Sequence, residues 1–250
     1  MVPADVALAL LINRTAAAYE SDPPSYIVYR ERTVVKAPSL GRSQEIDRSV
    51  AARNIDDLAV MRDLPGGGRR VGPAFPVIPY FDPFSQFTFS YFANLKRVDI
   101  SLDRGAPIRF TLPPSNPNVD VVVPYMSFWD VSYAPGSRPS APRFTIAITP
   151  RLGNAPQMYP SDVVEDPETH LPSRVVLRDT ASDMVISLDY SVVDGHWTIT
   201  HGTFTATEHA LFLTFVVTAD VTYDDISFPE TAPPELAALP PPSPSPSPTP

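Results

Sequence analysis

The sequence predicts a mainly β protein, a large antiparallel sheet with one helix at its N-terminus, and three observations carry that reading. The first is Met184 to Phe228, which reads as three consecutive strands, with Asp194-Gly195 between the first two. An Asp-Gly pair suits the type I′ turn of a tight hairpin, because both central residues need positive φ and Gly and Asp tolerate it. The second is the run Leu211, Leu213, Phe215, Val217, Ala219, Val221 and Tyr223, apolar at every second position over thirteen residues. Only a long half-buried strand keeps that period. The third is the recurrence of short β-branched and aromatic runs between turn signals from Ser25 to Asp179, about ten strands in all by the pattern rules.

Composition narrows the classes of function. The chain has 250 residues and a formal charge of −9, and Lys36 and Lys96 are its only lysines. No basic cluster exceeds Arg69-Arg70, so a nucleic-acid partner is not expected. There is no cysteine, which excludes disulfides, thiolate metal sites and a cysteine nucleophile. No stretch approaches the roughly 20 apolar residues of a membrane-spanning helix.

Taken in order, Met1 to Glu20 has a short apolar run but no basic region before it, and Asp5 precedes the run. It reads as a helix of the folded domain rather than a signal peptide, with Asp5 near the N-terminal dipole and Pro23-Pro24 at its end. Ser25 to Lys36 and Arg42 to Arg53 make a long hairpin around Pro38 to Gly41, with Tyr26, Val28 and Val34 on one face and Ile27, Tyr29 and Val35 on the other. A third strand is expected over Leu58 to Leu64. Residues 65–92 form a Pro-rich, aromatic insert. Its Gly67-x4-Gly72 lacks the Lys and Ser or Thr of a phosphate-binding loop, so a flexible loop is expected there. The aromatics that follow form either a plug in the core or a lid over an apolar cavity. Asp82-Pro83 could open a short helix. Strand patterns resume at Val98–Leu102, Ile108–Leu112, Val119–Tyr125, Met126–Tyr133 and Arg143–Thr149. Gly153 to Pro172 reads as a polar connection, and Arg174–Asp179 as a strand leading into the closing hairpins, with Thr207 to His209 as the last turn. Residues 1–229 are expected to be a single domain, and 230–250, ending in PPPSPSPSPTP, a disordered proline-rich tail.

The chemistry-bearing residues make no recognisable site. His196 and His201 stand five apart on one expected strand, so they point to opposite faces unless a bulge intervenes, while His170 and His209 sit in a loop and a turn. Asp56-Asp57 and Asp224-Asp225 are adjacent pairs, whose side chains diverge on a strand. Neither G-x-S-x-G nor H-E-x-x-H occurs. No catalytic residue, metal site or cofactor is expected.

The segment Asp166-Pro-Glu-Thr-His-Leu-Pro followed by Arg174-Val-Val-Leu and the Asp194-Gly195 hairpin resembles the LolA/LolB-like superfamily of cell-envelope lipoprotein carriers. An N-terminal helix running into long antiparallel strands agrees with it in element order. The resemblance implies a strongly curved, open half-barrel whose helical or loop lid closes over an apolar cavity for acyl chains. It implies a periplasmic or other extracytoplasmic location, with any signal peptide removed, and an acyl chain or lipoprotein as partner. Phe81, Phe84, Phe87, Phe89, Phe110, Trp197 and Phe215 are then the expected cavity wall and lid. Burial of an acyl chain contributes about 0.8 kcal/mol per CH₂. The alternative is the same sheet with a filled core, acting as a non-catalytic structural or protein-binding module. A hydrolase or isomerase using an Asp and a His in the cavity is the third reading.

Overall fold

The computed structural model describes residues 2–54, 58–73, 79–84, 99–101, 107–111, 120–124, 129–148, 158–179, 183–210, 213–237 and 239. Helix α1 spans Ala4–Ser21, with Asp5 in its first turn. The long hairpin follows as β1 (Tyr26–Ala37) and β2 (Arg42–Arg53), joined by a 3-10 turn over Pro38–Leu40 and Gly41 at φ 61°. Strands β3 (Leu58–Asp63) and β4 (Arg69–Pro73) complete a first meander. The second comprises β8 (Trp129–Tyr133), β9 (Arg143–Ile148), β10 (Met158–Glu165), β11 (Pro172–Asp179), β12 (Val185–Val193), β13 (His196–Ala210) and β14 (Leu213–Ser227). Between the two lies a separate antiparallel sheet of three strands, β5 (Asp99–Ser101), β6 (Pro107–Thr111) and β7 (Asp120–Pro124).

The main sheet has eleven strands in the order β4-β3-β2-β1-β14-β13-β12-β11-β10-β9-β8. Each meander pairs neighbours in sequence, and the two are sewn together where the first strand meets the last, Val28 opposite Ser227 through Lys36 opposite Thr218. The ends of the order, β4 and β8, are edges, so the sheet is open, as expected for a half-barrel and not for a closed barrel.

Alternation sets the two faces. On β1, Ile27, Tyr29, Glu31 and Thr33 are buried while their neighbours are more exposed. Their cross-strand partners Ala52 and Val50 share that inner face, as do Phe144, Ile146, Val163, Val175 and Leu177 from the other meander. Helix α1 lies across it, inserting Leu8, Leu11, Ile12 and Tyr19 into one continuous core. At about 1.5 to 3 kcal/mol for each fully buried side chain of this size, the helix is held by packing. Capping does not hold it, since Pro3 makes no side-chain cap bond.

Four local expectations are corrected. Arg69–Pro73 is a strand, not loop; it is an edge strand bonded on one side to β3, where a terminal Pro is tolerated. Met158–Glu165 is a strand inside what read as a polar connection, and a bulge between Pro160 and Asp162 disguises its alternation. Strand β13 runs on through Ala210, past the expected turn at Thr207 to His209. The chain also does not leave the fold at 229: a helical turn, α2 (Pro234–Ala237), buries Leu236 against Ala51 and Val60 on the outer face. A single Leu in a Pro-rich stretch gave no periodic signal for that contact.

Candidate ligand-binding face

Between β13 and β14 the ladder runs from Ala210 opposite Leu213 to His201 opposite Thr222 and stops there. Beyond it β13 continues along β12, through Val193 opposite His196, while β14 continues along β1. The shift at Asp189/Tyr190 and the positive φ of Asp225 (53°) bend the two strands apart. The sheet therefore forks, and residues 79–84 fill the fork. The Ile199 amide, freed from the ladder, donates to Pro79 O at 2.7 Å. Tyr80 packs on Tyr19 with centroids 4.7 Å apart and touches His196 and Phe228 edge-on at 5.8 and 6.0 Å. Phe84 is 1% exposed. Asp82 folds this segment by accepting the Phe84 amide at 2.9 Å, so the Asp-Pro pair makes a side-chain turn at 82–84.

The fork is aromatic with polar tips. Tyr190 stacks on Trp197 at 5.8 Å and 4°. Tyr190 Oη and Trp197 Nε1 are buried with no hydrogen-bond partner among the described residues. Burial pushes the Tyr19 and Tyr190 hydroxyls well above the ordinary tyrosine range, and that of Tyr80 to about 12. All three are neutral donors at physiological pH.

Beside the fork, the inner face carries a buried charged pair. Glu31 is 3% exposed and accepts from Arg48 Nη2 and Thr33 Oγ1, both at 2.8 Å. Tyr29 and Tyr223 flank it, their rings T-shaped at 5.7 Å.

Past this pair the inner face becomes an apolar strip. The register places Ile186, Phe204 and Ala219 in one row with Val35, and Leu188, Gly202 and Val221 in the next. Val217 and Phe215 extend the strip along β14. Phe204, Phe215, Val217, Ala219 and Val221 are half-buried. The opposite face of the same strands is Thr203, Thr205, Thr218, Thr222, His201 and Asp220, so this hairpin is sharply two-faced.

The residues expected from the sequence fall in different places. Phe84 and Trp197 lie within the core at the fork, Phe81 is half-buried against it, and Phe215 stands on the strip. Phe110 belongs to β6 by its backbone. Phe87 and Phe89 lie outside the described residues. His196 and His201 are not brought together: His196 lies on Phe228 at 4.3 Å, whereas His201 bridges Asp189 and Asp220 on the outer face at 3.0 and 3.3 Å. His170, at φ 57°, contacts Glu165 through Nδ1 at 2.9 Å. Asp224 is engaged by Arg32 on the outer face. Among the described residues no group of three His, Asp or Glu could hold a metal, and no helix is long and apolar enough to cross a membrane. Sequence reasoning missed the Glu31–Arg48 pair and Phe204. The alternation Gly202, Phe204, Ala206 was the available signal for the latter.

No sequence family and no curated protein matches the chain. Crystal structures similar to it include the following three. A DUF1329 family protein from Desulfovibrio piger is 11% identical over 91% of this chain and 94% of its own, with a TM-score of 0.42. A LolA superfamily protein from Nitrosomonas europaea is 9% identical over 94% and 97%, with a TM-score of 0.36. An outer membrane lipoprotein-sorting protein domain from Vibrio parahaemolyticus is 10% identical over 87% and 91%, with a TM-score of 0.40.

Proposed function

We propose that this protein is a non-catalytic carrier of the cell envelope that holds an acyl chain, from a lipid or a lipid-modified protein, against the inner face of its open sheet. The observation that carries this reading is the half-buried apolar strip of Phe204, Phe215, Val217, Ala219 and Val221. It is continuous with the core, through Ile186 and Leu188, and lies on strands whose other face is threonine and charge. Apolar surface left part-exposed in a contiguous patch is the usual mark of a ligand or partner. From Phe215 to Val221 the strip runs roughly 20 Å at the rise of a strand, a length suited to an extended hydrocarbon chain. In this reading Phe215 and Phe204 form the wall, and Trp197 and Phe84 are the rigid floor behind it. The envelope location rests on the family resemblance of the Asp166 to Pro172 turn.

A filled-core binding module is the second reading, and the packing of Tyr80 and Phe84 into the fork is what favours it. Native mass spectrometry of the purified protein, followed by organic extraction, separates the two. A carrier retains lipid in near-stoichiometric amount, and Phe215→Asp and Phe204→Asp, with unchanged circular dichroism, emerge lipid-free. A clean protein mass that gains nothing on addition of fatty acid leaves the module.

A further inference from the structure

The face of the sheet opposite α1 carries a groove of about 520 Å³ lined by Arg143, Thr145, Ser161, Asp162, Val164, Arg174, Val176 and Arg178. Its construction follows from register and side-chain size. Arg143, Val164 and Arg174 form one row across β9, β10 and β11, and Thr145, Asp162 and Val176 form the next. The intervening residues Phe144, Val163, Val175 and Leu177 are in the core, so these rows face outward. The shift between Pro160 and Asp162 leaves Ser161 as an extra small residue. The floor is thus short side chains, and the rim is three guanidinium groups.

The charges of this groove are only partly spent within the protein. Arg143 forks onto Asp162, with Nε at 3.0 Å and Nη2 at 2.9 Å from Oδ2. Arg174 is engaged through Nε, which donates to Ser187 Oγ at 3.0 Å and lies 3.7 Å from Asp189 Oδ1. Arg178 is exposed and has no hydrogen bond or ion pair among the described residues. Three arginines thus stand against one lining carboxylate, on a chain whose formal charge is −9. Concentrated positive charge on an acidic protein, in a concave site with the Thr145 hydroxyl on its floor, fits an anion with several acceptor oxygens. Guanidinium forks match phosphoryl oxygens in geometry. Arg174 and Arg178 stand four residues apart on β11, about 13 Å between Cα atoms at the rise of a strand, which favours a ligand with more than one phosphoryl group over a single phosphate.

We propose that the Arg143–Arg174–Arg178 groove on the outer face is a binding site for a ligand bearing two phosphoryl groups. It lies on the face opposite the apolar strip and stands or falls independently of acyl binding. Such groups occur on soluble diphosphates and on lipid headgroups, and two probes separate these sources: calorimetric titration with inorganic pyrophosphate, and flotation with phosphatidylcholine vesicles with and without cardiolipin. The wild-type protein is expected to bind at least one probe, more weakly as salt rises. Arg178→Glu and Arg174→Glu are expected to lose at least tenfold in affinity with an unchanged melting temperature. Arg42→Glu, an equal change of charge at the far hairpin tip, is expected to lose little. Binding of pyrophosphate alone assigns the groove to a soluble ligand, and binding of cardiolipin vesicles alone to a headgroup. Failure of both probes, retention of binding by Arg178→Glu, or an equal loss in Arg42→Glu overturns the proposal.

Discussion

Glu31 and Arg48 face each other across β1 and β2 with side chains 3% and 14% exposed. Removing both charges from water costs several kcal/mol per ion, and the pair recovers it only while both partners remain. Arg48→Met is therefore expected to destabilise the protein by about 3 to 5 kcal/mol in urea unfolding, because Glu31 is left buried and uncompensated. The double variant Glu31→Leu/Arg48→Met is expected to recover most of that loss. His201 makes the opposite kind of contact, on the outer face. Its hydrogen bond to Asp189, and then that to Asp220, raise its pKa above the usual 6.5. Arg174, 3.7 Å from Asp189, competes for the first of these carboxylates. A raised pKa means that the folded state holds the proton more tightly, so the stabilisation is complete below about pH 6.5 and is lost as pH rises through the folded value. The urea midpoint of the wild-type protein should fall across that interval, and His201→Asn should abolish that part of the pH dependence. Neither role was legible in the sequence. Glu31 sits in the same pattern of charges as Arg30, Arg32, Glu45 and Asp47, and only the burial of one face separates them.

At the scale of elements, what the sequence specified was local turn chemistry and period. Asp194 at φ 49° and Gly195 at φ 83° give both turn residues the positive φ that the hairpin demands. Gly195→Ala is expected to cost about 1 to 2 kcal/mol, the penalty for a Cβ in that conformation, and to lower the thermal midpoint by a few degrees. Strands β1 and β2 were legible from the β-branched and aromatic residues of β1 and the turn signal after it, although burial alternates strictly only from Tyr26 to Thr33 and not along β2. Strand β10 was hidden because Pro160, Ser161 and Asp162 sit where a bulge suspends the period. The fork was hidden more deeply. It consists of ladder bonds that are not made between β13 and β14, and a missing bond leaves no trace in residue order. Tyr80 and Phe84 were read as plug or lid and Asp82 as the start of a short helix; between them they close that fork, tied to it by the amide of Ile199 at Pro79 O.

For the whole molecule, openness matters as much as the faces do. An open sheet leaves β4 and β8 as edges among the described residues. Edge strands invite pairing with other chains. β4 answers with Arg69, Arg70 and a terminal Pro73, the kind of charged and donor-poor sequence that discourages it. The order of strands has a further consequence, for the route by which the fold is reached. Every other neighbouring pair in the main sheet is close in sequence, and the seam of β1 with β14 joins residues from nearly opposite ends of the chain. Closing so long a loop costs entropy before any contact rewards it. The two meanders can each form early from local contacts, and the molecule becomes one body only when the last strand made meets the first.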